Sequence, residues 1–286
     1  MTIIDRLYAQ VEEKGPICVG LDPAEEVYPP GFLQKFPSPA EAALRFCQEI
    51  VAATADLVAC YKVQIAHFEA LGVEGLRAYR DLLRELRKEG IIVIGDVKRG
   101  DIASTAAHYA KAHFAGEFTA DFITLNPIFG FDVLEPFLPY VESGQHGIFV
   151  LVRTSNPSAW EFQDLLMDGQ PFYEHVAAKV AAWGEKFRGS CGYSLIGAVV
   201  GAQRDVLARL RSRFSRLFFL VPGYGAQDGK AADVAPAFRE GNGAVIVAAR
   251  SILGAHRGKP AAAERFPQYA REAVQAMAED LSPWRA

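Results

Sequence analysis

A group of charged side chains follows an apolar run in the first half of the chain. Residues 91–94 (IIVI) lead into GDVKRGD, which places Asp96 and Lys98 two residues apart. In an extended strand that spacing puts both side chains on one face. The strand is expected to end at Gly100 and a helix to begin at Asp101. Because buried charges cost several kcal/mol unless they are paired, a structural ion pair is one explanation. Since α/β folds place their chemistry at the carboxyl ends of strands, we favour a functional site.

Four ionisable side chains form a candidate catalytic row, namely Lys62, Asp96, Lys98 and Asp101. Alternating lysines and aspartates can pair, so several charges stay ionised close together. Such a row presents a preorganised field to a substrate that carries or develops charge. We expect no metal site in the row, because it contains no histidine and its two ammonium groups repel a cation.

A second candidate site follows the last two apolar runs. Residues 222–229 (PGYGAQDG) are rich in glycine, and Arg250 follows the final run. A glycine-rich segment alone is typical of an ordinary turn. Barrels, however, often bind phosphate with these two loops, where an arginine can grip two oxygens and a side chain such as Gln227 can donate from a closing loop. The combination favours a phosphate site.

The fold follows from the order of apolar runs, each followed by helix-like sequence. The predicted strands are 17–23, 57–63, 91–98, 122–127, 147–153, 194–201, 217–221 and 244–249. Continuous apolar strands are typical of a parallel sheet covered on both faces. We therefore predict an α/β fold, a single (β/α)8 TIM barrel over residues 1–286 with an N-terminal helix. A doubly wound open sheet is the alternative, and it is less favoured because no GxGxxG follows the first strand.

The segments between the strands predict helices at 40–53, 66–90 (one or two), 104–114 and 173–187, an insertion at 158–171 and a C-terminal helix. Residues 204–216 are interpreted as one solvated helix face. In a barrel the carboxyl ends of the strands meet at one mouth. We expect the following side chains to converge there: Asp22, Lys62, Asp96, Lys98, Asn126, Arg153, Pro222 and Arg250.

Composition narrows the function classes. The chain has 286 residues, half of them hydrophobic, and a net charge of −4 without a long basic run, so nothing favours nucleic-acid binding. No apolar run reaches the ~18 residues of a membrane span, and the N-terminus has the spacing of an amphipathic helix instead of a signal peptide. None of the four cysteines forms a CxxC pair, so we expect free thiols and a cytoplasmic location. The six histidines do not cluster.

The motif Asp96-x-Lys98-x-x-Asp101-Ile102-x-x-Thr105 resembles the signature of the orotidine 5′-phosphate decarboxylase family, which carries out the last step of UMP synthesis. The resemblance extends over nearly the whole chain. It includes the segments 20–22, 61–64 and 221–227 and Arg250, while 153–157 and the insertion resemble the longer bacterial subgroup.

The resemblance implies a homodimeric barrel that uses no metal or organic cofactor and acts on a small nucleotide. Lys62, Asp96, Lys98 and Asp101 would be catalytic, with Asp101 and Thr105 supplied by the partner subunit. Lys98 would protonate the carbon that loses CO2. The substrate-binding residues would be Asp22 (ribose), Ser155 (pyrimidine), Thr105, and the phosphate loops with Pro222, Tyr224, Gln227 and Arg250.

Two positions depart from the family pattern, and three alternative functions remain. Ala103 stands where proline or glycine is usual, and Ala249 stands where glycine is common. Related hexulose-phosphate synthases carry a similar row but need Mg²⁺. Schiff-base aldolases use a strand lysine such as Lys62. A barrel that binds a nucleotide without turnover is the third alternative.

Overall fold

The computed structural model describes residues 1–225 and 230–284. Within them, eight parallel strands close into a barrel in which each strand pairs with its neighbours in sequence. The strands are β1 (Ile17–Leu21), β2 (Cys60–Gln64), β3 (Val93–Arg99), β4 (Phe122–Leu125), β5 (Gly147–Arg153), β6 (Ile196–Val200), β7 (Phe219–Pro222) and β8 (Ala244–Ala248). The predicted (β/α)8 barrel is confirmed.

Helices cover the outside of the barrel. They are α1 (Ile3–Lys14), α2 (Pro39–Thr54), α3 (Ile65–Glu69), α4 (Gly72–Lys88), α5 (Ala103–Phe114), α6 (Leu138–Glu142), α7 (Phe172–Trp183), α8 (Arg204–Arg213), α9 (Ala231–Val234), α10 (Arg250–Leu253) and α11 (Ala262–Leu281). The helices cover the outer face of each strand, and side chains fill the interior of the barrel. The strands are therefore buried along most of their length, which explains their continuous apolar sequences. In the described part of the chain, no helix has the length and apolar character to cross a membrane.

The N-terminal helix closes one end of the barrel. The Thr2 hydroxyl and the Asp5 carboxylate cap the start of α1 reciprocally. The N–H of Ile3 donates to Gly144 O (2.7 Å), and Asp5 accepts from the N–H of Cys191 (2.8 Å). Both contacts are to segments that precede barrel strands. The carboxyl ends of the strands therefore remain accessible at the opposite end.

Two predicted boundaries move for identifiable reasons. The second strand was expected at 57–63, but Leu57 N donates to Thr54 O and completes the turn after α2, so β2 begins at Cys60. The insertion contains a 3₁₀ helix (Pro157–Glu161) and a hairpin that pairs Leu166–Met167 with Gln170–Pro171. Its turn residues, Asp168 and Gly169, have φ of 52° and 77°, as in a type I′ turn.

The interpretation of residues 204–216 as one solvated helix face is wrong for Arg211. This side chain is only 8% exposed and donates to backbone carbonyls beneath α8, including Ala237 O and Gly243 O. The helix itself ends at Arg213. A charge pattern in sequence does not distinguish an arginine in solvent from one enclosed by carbonyl groups.

Helix α5 begins at Ala103, which is one residue before the predicted helix 104–114 and two residues after Asp101, where the charged motif had suggested a helix start. Asp101 Oδ1 accepts from the N–H of Ile102 (2.8 Å), which is the N-cap residue. Ala103 has φ of 51°, in the left-handed region that favours glycine. The departure from the family pattern at position 103 therefore places an L-residue in a strained backbone conformation.

Candidate active site

The carboxyl ends of the strands surround a cavity of about 540 Å³. Most of the predicted site residues line it, and they come from strands and loops around the whole barrel. They are Asp22, Lys62, Asp96, Lys98, Ser155, Pro222, Tyr224 and Arg250. The predicted convergence at one mouth is therefore observed for Asp22, Lys62, Asp96, Lys98, Pro222 and Arg250.

Asp96 is the centre of a buried ion-pair network. Its Oδ2 accepts from Lys62 Nζ (2.9 Å) and Gln64 Nε2 (2.9 Å), and its Oδ1 accepts from Lys98 Nζ (2.6 Å) and Thr124 Oγ1 (2.9 Å). Lys62 Nζ also lies 3.4 Å from Asp22 Oδ1. Four donors on one carboxylate compensate the cost of removing it from water.

These contacts determine the charge states of the buried pair. Burial favours the neutral form of Asp96, but Lys62 and Lys98 hold the pKa of its carboxyl well below the usual range. Burial also opposes the charge of Lys62, and the carboxylates of Asp22 and Asp96 nevertheless raise the pKa of this ammonium group above its usual value. Both groups are therefore ionised at neutral pH.

Lys98 differs from Lys62 in exposure and in backbone conformation. Its side chain is 46% exposed and borders the cavity, whereas that of Lys62 is 7% exposed. The sequence predicted that Asp96 and Lys98 share one face of an extended strand. The two side chains do meet, but Lys98 has φ of 44° and the register with β4 shifts between Gly95 and Arg99. An irregularity at the end of β3, and not simple alternation, turns Lys98 towards Asp96.

The phosphate-site candidates form another wall of the cavity. Arg250 is the first residue of α10 and is separated from the end of β8 by one residue, while Pro222 is the last residue of β7 and Tyr224 lies just beyond it. The Tyr224 hydroxyl donates to Asp280 Oδ2 on α11 (2.6 Å). Gln227 lies outside the described residues.

Residues 15–266 match the orotidine 5′-phosphate decarboxylase / HUMPS family. The chain belongs to this family. It is 48% identical over 286 residues to an orotidine 5′-phosphate decarboxylase of Petrotoga mobilis, with 99% of each chain covered, and 47% identical over 280 residues to one of Clostridium botulinum, covering 98% of this chain and 99% of that one.

Solved structures give the same assignment. The OMP decarboxylase of Leishmania donovani superposes with a TM-score of 0.79 at 31% identity, covering 100% of this chain and 99% of that one. The orotidine 5′-monophosphate decarboxylase of Plasmodium berghei, at 18% identity and a TM-score of 0.77, shares the fold.

Two residues of the family signature, Asp101 and Thr105, lie outside this cavity. Asp101 is half-buried and bonds to the adjacent backbone, and Thr105 is exposed on the first turn of α5. Two other predicted residues are also absent from the lining. Arg153 makes a two-pronged ion pair with Asp164 of the insertion (2.8 and 2.9 Å), and Asn126 caps the turn after β4. The expectation that these two face the mouth is wrong.

Sequence reasoning missed several cavity residues of this decarboxylase-family chain. Gln64 and Thr124 bond directly to Asp96, and His67 and Glu26 line the cavity. Gln64 was detectable, because it is two residues after Lys62 and therefore on the same strand face. Thr124 carried no such signal, since a threonine in an apolar strand is common.

Close backbone approach explains two features of the lining. A Cβ on Gly201 would lie 2.9 Å from Ser155 Cβ, so the missing side chain lets the Ser155 segment pack against β6. A Cβ on Gly20 would lie 2.8 Å from the Cβ of Ala249. The extra methyl group at position 249, where the family commonly has glycine, is thus accommodated by a glycine on the neighbouring strand.

The described residues offer no cluster of side chains suited to a metal ion. Within the described residues, no group of three His, Cys, Asp or Glu side chains has a suitable arrangement. Asp22 and Asp96 are the carboxylates of the charged network, and both face the Lys62 ammonium.

Proposed function

We propose that the chain is a carboxy-lyase that converts orotidine 5′-phosphate to UMP, the last step of pyrimidine nucleotide synthesis. The observation that carries the proposal is the Lys62–Asp96–Lys98 network in the same cavity as Arg250. This arrangement matches the two ends of the substrate. The charged network would face the pyrimidine carbon that carries the carboxylate, and the arginine would bind the 5′-phosphate. Relatives named orotidine 5′-phosphate decarboxylase, identical at about half of all positions, support it.

In the proposed reaction the bond between C6 of the pyrimidine and its carboxylate breaks. CO2 leaves, and the electron pair remains on C6 as a carbanion. The Lys98 ammonium stabilises this charge and then transfers its proton to C6, which gives UMP. Lys98 suits this role because its ammonium is fixed by Asp96 while the side chain borders the cavity.

Of the other site residues, Asp96 has an electrostatic role and the rest bind the substrate. Asp96 would lie beside the departing carboxylate. Asp22 and Lys62 would bind the ribose, Ser155 the pyrimidine, and Arg250, Tyr224 and the 222–227 loop with Pro222 and Gln227 the 5′-phosphate. Binding energy from the remote phosphate would help to assemble the charged residues around the reacting carbon.

Two other enzyme types are alternatives to the decarboxylase. One is a hexulose-phosphate synthase, and the other is a Schiff-base aldolase. The aldolase needs a neutral lysine amine as nucleophile. The raised pKa of Lys62, caused by two carboxylates that outweigh its burial, keeps that amine protonated. This favours the decarboxylase, in which Lys62 acts as a cation.

Ultraviolet absorbance of orotidine 5′-phosphate tests the proposed reaction. The purified protein is expected to reduce the orotate band at the same rate with and without EDTA, because the proposed chemistry uses only side-chain charges. No change in the band would contradict the decarboxylase. Turnover of a sugar phosphate that depends on Mg²⁺ would indicate the synthase-type reaction, and trapping by borohydride would indicate the aldolase.

The proposal includes a homodimer with shared active sites, in the cytoplasm. Asp101 and Thr105 belong to the signature and yet lie outside their own subunit's cavity. Near them, Ile102 (49% exposed), Ile128 (68%) and Phe129 (55%) present apolar surface at the same end of the barrel. A partner subunit docked there would cover this surface and receive Asp101. The four cysteines are free, which supports a reducing compartment.

Mixing two inactive variants tests the shared site. After subunit exchange, Lys98→Ala and Asp101→Ala are expected to regain about a quarter of wild-type activity, because half of the dimers then hold one intact site. Lys98→Ala mixed with Lys62→Ala is the control, since both lesions lie in the same subunit's cavity and no intact site forms. Recovery in neither mixture, or a monomer by sedimentation, would refute the dimer.

A further inference from the structure

The backbone around the proposed proton donor is irregular. Lys98 has φ of 44°, a region that non-glycine residues rarely occupy, and the pairing of β3 with β4 shifts at this point. The Lys98 side chain is half exposed, so packing alone does not determine its direction. Some other contact must hold the backbone that carries it.

Thr124 on β4 supplies that contact. Its side chain is buried, with the residue 1% exposed. The hydroxyl oxygen accepts from the N–H of Val97 (3.0 Å) and from the N–H of Lys98 (2.9 Å), and the hydroxyl donates to Asp96 Oδ1 (2.9 Å). A hydroxyl has one proton and two lone pairs, so its hydrogen-bonding capacity is fully used.

We infer that Thr124 is a positioning residue for the proposed decarboxylation, and this inference rests on the proposed function. One hydroxyl binds the backbone of Lys98 and the carboxylate that receives the Lys98 ammonium. It therefore fixes both ends of the lysine with respect to the reacting carbon. Without it, the buried N–H of Val97 and the partly buried N–H of Lys98 lose their acceptor, and the left-handed turn at Lys98 loses the bonds that maintain it.

Kinetics of Thr124→Val and Thr124→Ser test the inference. Valine keeps the shape and removes the hydroxyl, and we expect kcat to fall about 100-fold, the usual effect of displacing a catalytic group by about 1 Å. The KM for orotidine 5′-phosphate is expected to stay near the wild-type value, because the phosphate and ribose contacts remain. Serine keeps the hydroxyl and is expected to restore most of kcat. Thr54→Val, which removes another buried threonine hydroxyl away from the cavity, is the control with unchanged kcat.

Amide hydrogen exchange provides a readout that does not depend on turnover. The N–H groups of Val97 and Lys98 are expected to exchange slowly in the wild type and in Thr124→Ser, and much faster in Thr124→Val. Wild-type kcat in Thr124→Val, or unchanged exchange at these two amides, would overturn the inference. A Thr124→Ser variant as defective as Thr124→Val would assign the effect to packing and overturn it as well.

The two proposals fail in different ways. Wild-type protein that leaves orotidine 5′-phosphate unchanged would refute the proposed function, while the exchange of Val97 and Lys98 would still decide whether Thr124 holds the turn. If Thr124→Val does not fold, Thr124→Ala removes the same hydroxyl without adding an apolar methyl group beside the carboxylate, and the same kinetic and exchange criteria apply.

Discussion

Lys98→Ala is expected to lower kcat/KM for orotidine 5′-phosphate by at least ~10³-fold, or ~4 kcal/mol of transition-state stabilisation. General acid catalysis alone contributes ~10²–10⁴-fold. Lys98 would also stabilise the carbanion electrostatically before it transfers the proton. Because the lysine performs both steps in the proposed mechanism, the decrease in kcat/KM should lie in the upper part of that range or above it.

The fold should survive this substitution. Asp96 keeps three of its four donors when Lys98 is removed, namely Lys62, Gln64 and Thr124. The Lys98 side chain is 46% exposed, so no large cavity is created. Thermal unfolding close to that of the wild type, together with lost turnover, would separate a catalytic role from a structural one.

Lys179→Ala is a matched control, because Lys179 is an exposed lysine on α7, outside the cavity lining. Its activity is expected to equal that of the wild type. A Lys98→Ala variant that retains a tenth of wild-type activity would refute the proton-donor role, since another group would then have to protonate C6.

The barrel and the position of its site were predictable from sequence for a simple physical reason. Parallel strands covered on both faces must be apolar throughout, so the charged residues that end them are conspicuous. Lys62, Asp96 and Arg250 each follow or end such a run, and all three line the cavity. The same argument failed for Arg153, because it takes no account of a later insertion that supplies Asp164 as a partner.

The conformation of Lys98 and the role of Thr124 were not predictable. Periodicity assumes a regular strand, and it contains no information about a left-handed residue at the strand end. Thr124 acts through one hydroxyl that faces two amides of another strand, a contact that depends on register. The places of Asp101 and Thr105 relative to the cavity likewise depend on tertiary structure, and their proposed use depends on a second subunit.

Arg211 is the site of the second large effect, on stability. Its guanidinium donates to Ala237 O (2.6 and 2.8 Å), Leu217 O (2.7 Å) and Gly243 O (2.8 Å), and it lies 3.9 Å from the centre of the Phe219 ring. Burial lowers its pKa to about 10, which still leaves it charged at neutral pH. Among its contacts within the described residues, carbonyl dipoles and aromatic rings take the place of a carboxylate partner.

Arg211→Met is expected to reduce the free energy of unfolding by about 3–5 kcal/mol. Methionine has a similar length but donates no hydrogen bonds, so carbonyls from the segments before β7 and β8 lose a charged donor, although Gly243 O keeps the N–H of Phe219 (2.9 Å). Each unsatisfied buried group costs about 1–3 kcal/mol, and hydrogen bonds to a charged donor are at the stronger end of the range. Arg211→Lys should recover only part of the loss, because a single ammonium group does not reproduce the planar fork that reaches four carbonyls, those of Ser215, Leu217, Ala237 and Gly243.

Denaturant unfolding of Arg211→Met and Arg77→Met compares a buried arginine with an exposed one. The Arg77 side chain is 58% exposed on α4 and pairs only with its neighbour Glu74 among the ion pairs of the described residues, so its replacement should change stability by less than about 0.5 kcal/mol. Arg211 lies beneath the end of the barrel opposite the cavity. Folded Arg211→Met should therefore keep the wild-type kcat while it loses stability. A loss below about 1 kcal/mol would mean that water or a shifted backbone replaces the guanidinium.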